Sequence, residues 1–285
     1  MRARLGNLGP MAAVAGIVVL LYLPLVVVTN YPLAQRALER GAVMDCDGPL
    51  ACAFVLRNPV IPAPGQLLAG IYNLMLPLNS PNAIPLNAFW TGVETLVGLG
   101  LAALVGLLFA LGLVLSRAFE LSVLPWIVAS QTVPIIALAP MLVVLLGQYG
   151  VQGLLPKAII AAYIAFFPVT IGLAKGLRSP DSLALDLMRT YRATTVQTFV
   201  KLRLPASLPY LFTAFRISTA AALIGAIIAE MSTISFFGLG KMLSENARAS
   251  DVVGTWVLMI ASAVLGILLV ACVGWVERLV TPWRR

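Results

Sequence analysis

Along most of the chain, apolar residues run in long uninterrupted blocks, not in the short alternations of soluble helices or strands. Six blocks reach the roughly 20 residues that a bilayer-spanning helix needs: near Met11 to Thr29, Ala88 to Ser116, Leu121 to Gly147, Leu154 to Lys175, Tyr210 to Ile234 and Val252 to Val276. They predict an all-α integral membrane protein with six transmembrane helices. The first block follows Arg2 and Arg4, as a secretory signal would. It is longer than a signal core, however, and Tyr31 and Pro32 follow it without a small-residue cleavage site, so it reads as an uncleaved helix.

Two polar stretches interrupt the blocks. Asn30 to Asn87 is proline-rich, and after Pro64 the residues Gln66, Leu67, Leu68, Ile71, Tyr72, Leu74, Met75 and Leu78 recur at helical spacing. That predicts an amphipathic helix lying on the membrane or on the other helices. In the second stretch, Gly176 to Pro209, Ser179 and Pro180 suit an N-cap and a first helical position. With Leu183, Leu187, Met188 and Tyr191 on one face, they predict a helix from Pro180 to about Tyr191. Thr194 or Thr195 can cap a second helix carrying Val196, Phe199 and Val200, with Pro205 ending it.

Of 285 residues, 60% are hydrophobic and 11% charged, with a mean hydropathy of +0.98. A soluble domain carries about 25% charged residues, so the polar surface for one is missing. Histidine is absent, which excludes His-based acid/base chemistry, Ser-His triads and HExxH zinc sites. No GxxxxGK[ST] phosphate loop occurs, so the chain reads as a non-enzyme whose energy comes from another subunit. The net charge of +8 forms no basic tract, and it reads as membrane topology, not nucleic-acid binding.

With the N-terminus in the cytoplasm, Arg2, Arg4, Arg117, Lys175, Arg178, Arg189, Arg192, Lys201, Arg203, Arg216, Arg278, Arg284 and Arg285 gather on one side. Only Arg36, Arg40, Arg57, Lys157, Lys241 and Arg248 fall on the other. That asymmetry places both termini in the cytoplasm. Cys46 and Cys52 then lie outside, where an oxidising compartment permits a disulfide, two free thiols being the alternative. Cys272 sits in an apolar run and reads as a small buried filler; the three cysteines make no metal pattern.

The run DLMRTYRATTVQTFVKLRLPASLPYLF at 186–212 resembles the EAA loop of permease subunits of binding-protein-dependent ABC importers. Leu204 and Pro205 match its Leu-Pro, Leu202 its Ile, and Asp186, Leu187 and Met188 its Glu-Ala-Ala; the glycine is replaced by Arg192. SQTVPIIALAP (Ser130 to Pro140), IGAIIAE (Ile224 to Glu230), FGLGKML (Phe237 to Leu243) and the ending VERLVTPWRR resemble the nitrate/sulfonate/taurine branch of these permeases. Thr91 with Glu94, then Gly98 and the Gln131-Thr132-x-Pro134 run, look most like members serving vitamins and pyrimidine precursors.

The resemblance implies the type I ABC importer permease fold in the bacterial inner membrane. It implies a second permease subunit, most simply making a homodimer, a periplasmic substrate-binding protein, and two ATPase subunits that hold ATP and Mg. Asp186, Leu187, Met188, Arg189, Tyr191, Arg192, Thr194, Val196, Leu204 and Pro205 would form the ATPase-coupling surface. Residues 1–87 would make the N-terminal transmembrane helix and periplasmic segment, and 88–285 the permease core with its coupling loop at 176–209. A non-glycine residue at positive φ costs on the order of 1 kcal/mol. At Arg192, therefore, either the turn takes another backbone shape or the arginine makes a compensating contact.

Gly98, Ala102, Gly106 and Ala110 recur every four residues, as do Ala214, Ser218, Ala222 and Ala226. Such stripes let helix backbones approach closely in lipid. Glu94 and Glu230 are the acids within the spanning runs; each either reaches the headgroup region or faces a protein-lined space. Two prolines, Pro134 and Pro140, near Gln131 predict a cavity-lining break. The pathway is expected at the dimer axis between the second, third and fifth helices, with Glu94, Gln131, Pro134 and Glu230 facing it. Acids there would repel anions, favouring a neutral or weakly cationic heterocycle over nitrate, sulfonate or taurine. A secondary transporter is the rival class, but it would show internal repeats and paired intramembrane charges. No repeat is legible, and no Lys or Arg is expected mid-helix beside the two acids.

Overall fold

The computed structural model describes residues 8–41, 46–76, 80–233 and 236–282. Arg2, Arg4, Leu78, Arg284 and Arg285 lie outside the described residues, which are helical throughout their regular structure. In chain order the helices are α1 (Leu8–Glu39), α2 (Gly48–Cys52), α3 (Pro64–Met75), α4 (Ile84–Leu115), α5 (Arg117–Ser130), α6 (Ile135–Gln148) and α7 (Leu154–Leu177). They continue with α8 (Ser182–Thr190), α9 (Thr195–Thr198), a π-turn (Phe199–Arg203), α10 (Leu204–Ser232), α11 (Leu239–Arg248) and α12 (Val252–Val280). Two compact units result: Met1–Ala83 with Leu243–Ile260, and Ile84–Met242 with Ala261–Arg285.

Among the described residues, α4, α7, the continuous run Thr195–Ser232 and α12 are long and apolar enough to cross a membrane. The pair α5 and α6 makes a fifth crossing if it counts as one span, bent by 98°. The third apolar block is thus not a single helix. It breaks where Gln131 caps α5 and Pro134 caps α6, because proline cannot donate the next helical hydrogen bond. Pro125, Pro140 and Pro168 stay inside helices.

In the first unit, α1 runs ten residues past Thr29, carrying Pro24 and Pro32 inside it, so the expected loop starting at Asn30 begins later. Asn30 is instead fully buried. Its amide donates to Ala53 O at 3.1 Å and Ile61 O at 2.8 Å, and its oxygen accepts from Val60 N at 2.9 Å. One side chain thereby satisfies three backbone groups of a loop that has no helix of its own to do so. Cys46 and Cys52 are disulfide-bonded across α2, and Ala34, Ala53 and Leu56 pack with Cys52. The amphipathic helix expected after Pro64 is α3.

In the second unit, α4, α7 and α10 form the centre. Both small-residue stripes are buried, and Ala102, Ala161, Ala165, Ala222 and Ala226 meet in one cluster. A Cβ at Gly98 would fall 2.6 Å from Ala161 Cβ and 2.9 Å from Ala158 O, closer than atoms can stand. Cys272, expected as buried filler, is exposed on α12: a helix with an apolar circumference gives no pattern from which its inward face can be read. Gly98→Leu should lower the stability of the detergent-purified chain by about 1–3 kcal/mol, as overpacked cores do. Gly100→Leu, two residues on with nothing within 4 Å, should unfold at the wild-type temperature in the same thermal scan.

Candidate functional site

A cavity of about 750 Å³ lies between the N-terminal ends of α4 and α7 and the C-terminal ends of α6 and α10. Trp90 and Phe237 line it with rings stacked at 6.3 Å and 13°. Beside them Lys157 Nζ donates to Glu94 Oε1 at 2.6 Å, both side chains buried. Such a pair exists away from water only because each charge compensates the other. Among the described residues, Glu94 Oε2 has no hydrogen-bond partner.

Behind the cavity wall Glu230, fully buried, organises a polar knot. The Thr91 hydroxyl donates to Glu230 Oε1 at 2.6 Å, and Gly240 N donates to Glu230 Oε2 at 2.6 Å. Leu239 N donates to Thr91 Oγ1 at 2.9 Å and Gly238 N to Asn87 Oδ1 at 2.7 Å. The first backbone N–H groups of α11, which have no intrahelical partner, are thus satisfied by side chains of α4 and α10. The fit requires glycine. Gly238 has φ 136°, and a Cβ at Gly240 would collide with Ile227 O and the Glu230 side chain.

At the other end of α7 and α10 sits a bracket of two short helices. Asp181, not Ser179, caps α8, its carboxylate accepting from Ala184 N at 2.8 Å. Arg192 adopts φ 49°, while Arg192 N donates to Arg189 O and Ala193 N to Met188 O. This is the left-handed helix ending usually built on glycine, so the turn keeps glycine's backbone shape despite the arginine. Thr194 caps α9, with Gln197 reciprocating. Pro205 does not end the second helix. It lies in the first turn of α10, where its missing N–H costs little, and the π-turn Phe199–Arg203 joins α9 to α10 without interruption.

Leu183, Leu187, Tyr191 and Val196 are exposed, Tyr191 by 76%, while Phe199 anchors the bracket against the cluster of Leu113, Ile127, Leu173 and Leu177. Near its root Glu120 bridges Arg117 and Arg178, each at 2.8 Å. The hydrogen bond to Glu120 raises the Arg178 guanidinium above its ordinary value.

The family described as the inner membrane component of binding-protein-dependent transport systems matches residues 100–285. The chain belongs to that family. Similar permeases include the formylaminopyrimidine transport permease of Halalkalibacterium halodurans, 33% identical over 66% of this chain and 74% of that protein. The riboflavin transport system permease of Chloroflexus aurantiacus is 28% identical over 59% of this chain and 60% of its own. The nitrate import permease of a Synechocystis strain is 27% identical over 78% and 81%. The chain is therefore a membrane-embedded permease subunit of an ABC importer, and its family works with ATPase and binding-protein partners.

Of the residues expected along the permease's pathway, Glu94 lines the cavity, whereas Gln131, Pro134 and Glu230 do not. Gln131 and Pro134 form the break between α5 and α6. Asp186 pairs with Arg189 at 3.1 Å on the exposed surface of α8, and Leu187, Met188, Arg189 and Tyr191 share that bracket with Arg192, Thr194, Val196, Leu204 and Pro205. Lys157 corrects one expectation: a cation does stand beside Glu94 within the helices, in the first turn of α7. Paired with Lys157, Glu94 presents no net charge at the cavity with which to repel an anion. A lysine four residues after Gly153 and an acid in another block, both near the same ends, were the available signal. Asn87, Gly238 and Gly240 carry no local signal for these roles, which are contacts between distant segments.

Lys157→Met should leave Glu94 buried without a counter-charge and destabilise the permease by about 3–5 kcal/mol. Adding Glu94→Gln should restore most of that loss in the same unfolding measurement. Arg192→Gly should raise stability by up to about 1 kcal/mol by removing strain at positive φ, read as a higher unfolding temperature.

Proposed function

We propose that the chain forms the translocation pathway of an ABC importer for a small planar heterocycle, neutral or weakly cationic, such as a vitamin or a pyrimidine precursor. The observation that carries the transport reading is the placement of two features on the same pair of helices. A cavity lies at the N-terminal end of α7 and the C-terminal end of α10, and an exposed apolar bracket joins their opposite ends. The heterocycle reading is supported by the Trp90 and Phe237 rings at the cavity, since aromatic faces favour ring stacking. The similarity to formylaminopyrimidine and riboflavin permeases points the same way. A second reading, nitrate or a sulfonate, is favoured by the similarity to a nitrate permease.

In this proposal the chain spans the inner membrane six times, α1 being the sixth span, with both termini cytoplasmic. The Cys46–Cys52 disulfide supports an outside location for its segment, because such bonds persist in oxidising compartments. The cavity then faces the periplasmic binding protein. The bracket, including Asp186, Tyr191, Arg192 and Val196, faces two ATPase subunits, which bind ATP and Mg; a second copy of the chain completes the pathway. The chain itself acts as a transporter, not an enzyme.

A cysteine placed at Thr194 should react with a membrane-impermeant maleimide only from the cytoplasmic side, and labelling from the periplasm would overturn the topology. Tyr191→Asp combined with Val196→Asp should abolish substrate-stimulated ATP hydrolysis in the assembled complex. Trp90→Ala should slow uptake of a heterocycle roughly two- to tenfold, the worth of one aromatic contact. Uptake of nitrate or an alkanesulfonate with no uptake of heterocycles would remove the substrate assignment and leave the importer assignment standing.

A further inference from the structure

A second cleft, of about 430 Å³, lies on the opposite part of the core from the substrate cavity, between α10 and the C-terminal end of α12. Arg216, Val270, Ala271, Gly274, Trp275 and Arg278 line it. Arg216 Nη2 donates to Glu277 Oε2 at 2.5 Å, and Glu277 is buried. Arg278 forms no ion pair among the described residues, so with two guanidinium groups and the one Glu277 carboxylate, which Arg216 takes, the cleft carries a net positive charge. Gly274 keeps it open. A Cβ there would lie 3.4 Å from Arg216 Nη2, and any longer side chain would enter the space the guanidinium borders.

The depth of the cleft is set by Arg278, two residues before the end of the membrane-crossing helix α12. Ion pairing brings Arg216 to the same level. With α12 crossing a bilayer, its end falls at the level of the headgroup phosphates, and Trp275, 65% exposed, belongs to the residue type enriched at that boundary. Val270 and Ala271 continue the cleft toward the apolar interior, about two helical turns from Arg278 along α12.

We propose that this cleft binds the phosphate of an anionic phospholipid, with its acyl chains along Val270 and Ala271. Charge complementarity selects the headgroup, as in basic pockets between helices at a membrane surface. The apolar continuation selects a lipid over free phosphate. Arg278 supplies the unpaired charge, and Arg216, held by Glu277, presents a fixed guanidinium edge; guanidinium matches phosphate oxygens in a bidentate way that ammonium does not.

The test uses the full chain, reconstituted in nanodiscs of equal phosphatidylglycerol and phosphatidylcholine, released into detergent and weighed with its retained lipids by native mass spectrometry. The wild type should keep phosphatidylglycerol over phosphatidylcholine, and Arg278→Gln should lower that preference about fivefold, the effect of one basic residue near a membrane surface. Gly274→Leu retains every charge but fills the cleft, and it should lose the preference as well. Equal retention by the wild type and both variants would overturn the proposal. So would displacement of the lipid by millimolar inorganic phosphate, which would make the site one for free anions. Disulfide crosslinking between two copies through a cysteine at Ala271 would also overturn it, by showing that a second chain covers this face.

Discussion

A carboxyl group with no exposed surface, set at the end of an apolar helix, must find hydrogen bonds inside the protein or not exist there, because an uncompensated charge in a dry interior costs several kcal/mol. Glu230 meets that requirement by drawing three segments to itself: Thr91 from α4, Gly240 from the start of α11, and its own helix α10. The order of these contacts sets much of the second unit. Thr91 cannot serve Glu230 unless α4 and α10 are close at this level, and α7 brings them there, since the close-packed faces of both helices, at Gly98 on α4 and Gly225 on α10, lie against its Ala161. The turn before α11 cannot serve it without glycine at 238 and 240. Phe237, next to that turn, is thereby held against Trp90 at the cavity.

The Glu94–Lys157 pair stands one turn along α4 from Thr91 and contributes something different. Hydrogen bonds from the Thr91 hydroxyl and Gly240 N hold Glu230, whereas Glu94, its neighbour, is paired with an opposite charge from α7. The two acids that look equivalent in the sequence therefore do unlike work. Glu230 joins segments of backbone, and Glu94 gives the cavity a neutral dipolar wall. A wall of this kind carries no net charge by which the sign of a neighbouring molecule could be selected.

Much of the architecture was legible because its causes are local. The apolar blocks, the break at Gln131 to Pro134, the cap at Thr194 and the two small-residue stripes each depend on residues within one or two turns. The left-handed turn at Arg192 was legible as a choice between two backbones, and φ 49° decides it. What could not be read has long-range causes. Lys157 reaches Glu94 across 63 positions and Asn87 reaches Gly238 across 151, and nothing in either segment specifies the rotation of its helix. Asn30 looked like the end of a span, and the structure uses it as a buried clasp 31 positions from Ile61. Pro205 misled for a different reason. A proline that stops one helix and a proline that begins the next have the same local sequence, and only the π-turn before it distinguishes them.

That π-turn makes one rod of two helices. Thr195–Ser232 is a continuous helical run of 38 residues, about 57 Å at 1.5 Å per residue, with the exposed Val196 near one end and Glu230 near the other. α7 holds this rod at several levels: Ser207 and Ala214 lie against Gly176 and Gly172, and Ala222 and Ala226 meet Ala161 and Ala165. A rod clasped along its length by a neighbour has no single pivot, so a sideways push at Val196 would have to carry α7 and the run together as one plank.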